Sequence, residues 1–81
     1  MLVTIRLFAR LRELTGTSEL RRQVPDGATA GDAWRVLVGE FPALEDYTRT
    51  ISCAVNADYA RLTAALHDGD EVAFLPPVSG G

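Results

Sequence analysis

Lysine is absent from this 81-residue sequence, and all eight of its basic residues are arginines. An acyl group activated on this chain would therefore find no lysine amine within it. Composition bias is the plainer source of the absence, and the chemical consequence holds either way. There is no basic run, and the formal net charge is -3, which counts against a nucleic-acid partner whose phosphates need clustered cations. Cys53 is the single cysteine, so neither an internal disulfide nor a cysteine metal cluster can form. No apolar run approaches the roughly 18 residues of a membrane-spanning helix. Met1-Leu2-Val3-Thr4-Ile5 also lacks the basic region, long apolar stretch and cleavage site of a signal peptide. These absences predict a cytoplasmic protein with no membrane and no nucleic-acid partner.

What is present is ordinary for a folded domain: 47% hydrophobic and 23% charged residues, enough for one small core. Val3, Ile5 and Leu7 alternate with Thr4 and Arg6 across residues 2 to 8, the period of a strand with one buried side. Ala9 to Leu14 is expected to be a short helical turn within a loop, stopped by Gly16. Ser18 to Val24, polar around Leu20 and Val24, reads as an exposed edge strand, antiparallel to the first.

Pro25-Asp26-Gly27 is a turn signal, and Thr29 followed by Asp32 resembles a capping box that opens a helix over about 30 to 40. Ala30, Ala33, Leu37 and Phe41 form its apolar stripe, with Arg35 and Glu40 facing away. Trp34 and Val38 widen the stripe; Trp34 is assigned to the edge of the core in preference to a partner contact. Pro42 breaks the helix, and 43 to 47 adds one more turn. Ile51, Cys53 and Val55 alternate inward on the next strand, which makes Cys53 a small buried hydrophobe and not a reactive thiol. Asn56-Ala57-Asp58 is a hairpin-like turn into a short strand around 59 to 62. His67 beside Asp68-Gly69-Asp70 reads as a surface loop residue, with no second metal ligand at a recognised spacing. Glu71 to Leu75 is the last strand, with Val72 and Phe74 inward. One amphipathic helix against a mixed sheet of four or five strands gives the α+β class. It also leaves one sheet face uncovered, where Arg6, Ala73 and Leu75 are expected as a protein-binding patch.

The sequence closes on Pro76-Pro77-Val78-Ser79-Gly80-Gly81. Two terminal glycines cost backbone entropy and add no contacts, so something other than stability is expected to want them. The prolines hold the base of this tail extended, and Gly80 and Gly81 keep its tip thin. Stretched out, six residues reach roughly 20 Å. The tail is expected to be flexible and to offer the carboxylate of Gly81, which divides the chain into a domain at 1–75 and a tail at 76–81.

Ala54-Val55-Asn56, the run from Leu66 through Asp68-Gly69-Asp70-Glu71-Val72 to Gly81, and the opening Leu7-Phe8-Ala9 to Arg12-Glu13-Leu14-Thr15-Gly16 together resemble the MoaD-type sulfur carriers, the small subunits of molybdopterin synthase. The resemblance spans the chain, and its most specific part is the ending. It implies a ubiquitin-like β-grasp fold and a carrier that is not catalytic alone. It further implies that an ATP-dependent adenylyltransferase/sulfurtransferase activating enzyme adenylates Gly81 and that a persulfide donor converts it to a thiocarboxylate. The synthase large subunit would then receive the tail and pass the sulfur to cyclic pyranopterin monophosphate, in a heterotetramer of two small and two large subunits. The chain itself would bind no cofactor, ATP being used through the activating enzyme. Gly81 carries the reactive group, while Gly80, Ser79, Val78, Pro77, Pro76, Leu75, Ala73 and Arg6 form the tail and partner contacts. Leu75 stands where the family often has an aromatic residue, which bears on contact strength.

Three other readings stay open: a carrier of the same fold for thiamine or tRNA thiolation, a ubiquitin-like protein modifier, and an adaptor that binds through the open sheet face alone. The Pro-Pro-Val-Ser tail argues against the first.

Overall fold

The structure is a computed structural model and describes residues 1–77. Strand β1 (Leu2–Leu7) is followed by helix α1 (Ala9–Thr15), strand β2 (Glu19–Gln23), helix α2 (Ala30–Glu40) and a 3-10 helix (Pro42–Tyr47). Strands β3 (Ser52–Val55), β4 (Asp58–Ala60) and β5 (Glu71–Leu75) complete the order. The five strands form one sheet in the order β2-β1-β5-β3-β4. At its centre β1 and β5 run parallel, while β1–β2, β5–β3 and β3–β4 pair antiparallel. First and last strands thus lie side by side, which the alternation of either strand alone does not reveal. The β-grasp architecture and the α+β class follow from this sheet and the helix across it.

The alternation of β1 is realised in full, with Val3, Ile5 and Leu7 at or near zero exposure on the side covered by α2. Val72 and Phe74 of β5 join them, and from α2 come Ala30, Ala33, Trp34 and Leu37. Trp34 is 1% exposed, so its assignment to the core is correct. Helix α2 starts where the capping box places it: Asp32 N donates to Thr29 Oγ1 at 3.2 Å, and Thr29 N donates to Asp32 Oδ2 at 2.9 Å. Both satisfy backbone donors that the first turn leaves without partners. Close by, Gly31 N donates to Leu62 O at 2.7 Å, and a Cβ on Gly31 would come within 3.1 Å of that carbonyl oxygen.

Local differences from expectation have physical causes. Residues 9 to 15 form a seven-residue helix and not a turn within a loop. Leu11 is fully buried, Thr15 Oγ1 donates back to Leu11 O, and Gly16 closes the helix at φ 76°. That left-handed conformation suits glycine and lets its N–H reach Arg12 O. Pro42 does end α2, and it also opens the 3-10 helix, a position where its missing N–H costs nothing. Strand β4 is shorter than expected, ending at Ala60, because Leu62 and Ala64 turn their carbonyls to the N-terminus of α2.

Candidate docking face and tail exit

The sheet face away from α2 is assembled by register. Arg6 of β1 stands beside Ala73 of β5, Ala73 beside Ala54 of β3, and Ala54 beside Tyr59 of β4. One pleat along, Leu75 stands beside Ser52. Directly paired residues share a face, so these side chains make one row across the sheet. Phe8 continues the alternation of Thr4 and Arg6 in extended backbone and brings its ring under the Arg6 guanidinium, 5.7 Å from Cζ to centroid. Arg6, Ala73 and Leu75 are half-buried, Phe8 is exposed, and Tyr59 keeps 81% of its surface open. The expected placement of Arg6, Ala73 and Leu75 on one open face is therefore correct.

Phe8 and Tyr59 belong to this face but were not anticipated as site residues. The signal for Phe8 was the strand alternation carried one step further. For Tyr59 it was the two-residue hairpin loop Asn56-Ala57, which sets its register opposite Ala54. Ala54 and Ala73 are the small residues of the row, Phe8, Tyr59 and Leu75 its larger apolar groups, and the registers of β2 and β5 put Glu19, Arg21 and Glu71 on the same face. Such an apolar patch within a charged rim is how protein-binding surfaces are built.

The chain leaves the sheet at the end of its central strand, beside this face. Strand β5 is central, hydrogen-bonded to β1 and β3, and passes from Leu75 into half-buried Pro76 and exposed Pro77. Val78, Ser79, Gly80 and Gly81, the remaining tail residues expected to act, lie outside the described residues. At the opposite end of β5 a polar clasp fixes the strand's start. Asp70 accepts from Asn56 Nδ2 at 2.9 Å and from His67 N at 2.7 Å, and Glu71 N donates to Asn56 Oδ1 at 3.0 Å. The Asn56 hydrogen bond, then the His67 backbone donor, hold the Asp70 carboxyl below its usual range.

Other chemically tempting residues are placed away from this face. Cys53 is 1% exposed and its Sγ donates to Ala60 O at 3.2 Å, while burial pushes its thiol up. The pKa direction and the burial agree on an unreactive thiol. His67 is exposed, with Nδ1 3.7 Å from Asp70 Oδ2. No group of three or more metal-ligating side chains lies together among the described residues. A cavity of about 320 Å³ opens on the helix side between Thr29, Trp34, Arg35, Thr48 and Leu62. Its one carboxylate, Asp32, is already engaged in the capping box.

The model of the ThiS family matches residues 5–81. The chain belongs to the ThiS family. Among its relatives, the molybdopterin synthase sulfur carrier subunit of Arabidopsis thaliana is 39% identical over 98% of this chain and 82% of its own length. Small archaeal modifier protein 1 of Haloferax volcanii is 42% identical over 94% of this chain and 97% of its own. The crystal structure of that archaeal protein superposes with a TM-score of 0.85 at 38% identity, covering all of both chains. A chain in the BexX/CysO complex of Amycolatopsis orientalis superposes with a TM-score of 0.76 at 25% identity, over 98% of this chain and 99% of the other. Proteins similar to this chain thus include one named a sulfur carrier subunit, one named a modifier protein and a chain in a complex. Like the fold, this family placement agrees with the resemblance carried by the sequence. Among the described residues no helix is long and apolar enough to cross a membrane.

Proposed function

We propose that this chain is the sulfur carrier subunit of a cytoplasmic molybdopterin synthase, a domain at 1–75 whose tail at 76–81 delivers the reactive group. The observation that carries the reading is the placement of the Pro76-Pro77 exit at the end of the central strand, where the open face reaches the edge of the sheet at Leu75. A partner that grips Phe8, Tyr59, Ala73 and Leu75 thereby receives the tail in a fixed direction. The sulfur carrier among the relatives supports the assignment.

In this reading the Gly81 carboxylate attacks the α-phosphorus of ATP on an activating enzyme, and pyrophosphate leaves. A carboxylate resists nucleophiles because its oxygen leaves badly; as an acyl adenylate it has AMP to expel. A persulfide sulfur from the donor then attacks the acyl carbon, AMP departs, and a thiol reduces the acyl disulfide to the thiocarboxylate. The large subunit takes the tail into its active site and supplies the acid and base groups, because no nucleophile and base are brought together among the described residues of this chain. Cyclic pyranopterin monophosphate receives the sulfur, two per molybdopterin, in an assembly of two small and two large subunits. Gly80 gives clearance, and Pro76 and Pro77 give reach. The chain binds no cofactor of its own.

The test is the intact mass of the chain after incubation with activating enzyme, ATP and a sulfur donor, followed by addition of large subunit and precursor. Replacement of one oxygen by sulfur, and molybdopterin formation from the product, are expected. An unchanged mass with a competent activating enzyme overturns the carrier reading.

A second reading, a protein modifier, is favoured by the 42% identity to small archaeal modifier protein 1. It calls for covalent ladders in lysate that vanish when Gly81 is deleted. A thiamine or tRNA carrier would gain sulfur but yield no molybdopterin.

A further inference from the structure

Arg6 stands between Glu19 and Ala73 in the row of side chains that crosses the open face, and its hydrogen bonding is unfinished. Its Nε is buried and has no partner among the described residues. Its Nη1 lies 3.7 Å from Glu71 Oε1, too long for a good hydrogen bond. Glu19, its cross-strand neighbour on β2, forms no ion pair with it among the described residues. The side chain is 43% exposed, and the guanidinium is propped on the Phe8 ring. The fold thus holds this group in place through stacking while leaving its outer N–H groups to water.

That arrangement is tolerable only while water is there. A protein docking on Phe8, Ala73, Leu75 and Tyr59 strips water from the guanidinium in their midst, and a buried cation without a partner is strongly destabilising. Glu71 relieves little of this, since its own side chain is 46% exposed on the rim. An apolar counterpart would leave the charge stranded; a planar carboxylate meets the guanidinium fork with two parallel hydrogen bonds.

We propose that Arg6 is the specificity-determining contact of this face, and that the partner docking here presents an aspartate or glutamate opposite it. The inference rests on the reading above, in which that partner is the large subunit of molybdopterin synthase. Phe8 pre-orients the fork, so little rotamer entropy is lost on pairing. Ala73 beside it, and Ala54 beyond, leave the room that the partner's carboxylate needs. Proteins with a merely apolar surface are rejected at this position, because they cannot answer the charge.

Binding of the full chain to its cognate large subunit, measured by calorimetry at several salt concentrations, tests this with Arg6→Leu, Arg6→Lys and Arg6→Glu. Thermal melts establish that each variant folds, as expected for a side chain that makes no close hydrogen bond among the described residues. Arg6→Leu should weaken binding about tenfold to a hundredfold, the scale of a charge-assisted hydrogen bond, and flatten the salt dependence. Arg6→Lys should recover part of the loss and Arg6→Glu should bind worst. Leucine binding as tightly as arginine, with unchanged salt dependence, overturns the inference while leaving the carrier reading intact. Failure of the unaltered chain to bind the large subunit overturns both. If the chain alone sediments as a dimer that Arg6→Leu abolishes, a second copy supplies the carboxylate through Glu19 or Glu71, and the partner assignment falls.

Discussion

The indole of Trp34 lies against the ring of Phe74, with centroids 5.1 Å apart and planes tilted by 60°, while its Nε1 donates to Thr48 Oγ1 at 3.0 Å. One side chain therefore ties α2 to the central strand and to the segment that leads into β3. Thr48 in turn donates to Glu45 Oε2 at 3.0 Å, so the polar end of the indole is satisfied at the rim of the core. Trp34→Ala should cost about 3–5 kcal/mol of stability, the usual range for truncating a buried aromatic, and denaturant unfolding followed by circular dichroism measures it.

Ala57 has φ 73° and Asn56 φ 50° in the two-residue loop between β3 and β4. Asparagine tolerates the left-handed region, whereas alanine pays about 1–2 kcal/mol there. Ala57→Gly should raise stability by about 1 kcal/mol or less, because glycine also widens the unfolded ensemble. A shift of the urea midpoint with unchanged slope is the expected signature.

Asp70 titrates below the usual carboxylate range because Asn56 and the His67 backbone stabilise its charged form. A depressed native pKa contributes stability above the unfolded value of about 3.9. That contribution is lost as pH falls from there through the lower native value. Asp70→Asn should lower stability at neutral pH and flatten this acid dependence, as read from melting temperatures between about pH 2 and pH 6.

Arg22 and Glu40 join β2 to α2 through two hydrogen bonds of 2.7 Å each, Nε to Oε2 and Nη2 to Oε1. About a third of each side chain stays exposed, so water screens much of the attraction. A double-mutant cycle with Arg22→Ala and Glu40→Ala should give a coupling of about 0.5–1 kcal/mol that declines with salt.

Cys53 should resist iodoacetamide in the native protein and react on unfolding, and Cys53→Ala should still gain sulfur at Gly81. Peptide mapping after alkylation and the intact-mass assay report these two outcomes separately. Modification of the native thiol at the rate of a free cysteine would contradict its burial.

Much of this was legible in residue order because local and global requirements coincide. The capping box at Thr29 and Asp32 fixed the start of α2, and Pro42 fixed its end. Alternation in β1 and β5 identified which side chains face inward, which left Arg6, Ala73 and Leu75 outside together. What remained hidden depends on pairs distant in sequence. Nothing in Leu2–Leu7 or Glu71–Leu75 says that these strands lie parallel and adjacent, and only that adjacency places Arg6 beside Ala73. Tyr59 was hidden for a related reason, since its membership of the face depends on the registers of two further strands, whereas Phe8 needed only the alternation of β1 carried one residue past the strand. Helix α1 formed because Leu11 found a core to enter, which a seven-residue window does not contain.

The parallel pairing of β1 with β5 has a mechanical consequence. A pull on Pro77 runs along β5, and its bonds to β1 on one side and β3 on the other lie across that direction. The load is shared by both ladders in shear instead of opening them one bond at a time from a frayed end. A force applied at Pro77 is therefore carried into the sheet through a strand anchored on both sides, and the domain resists it as one body.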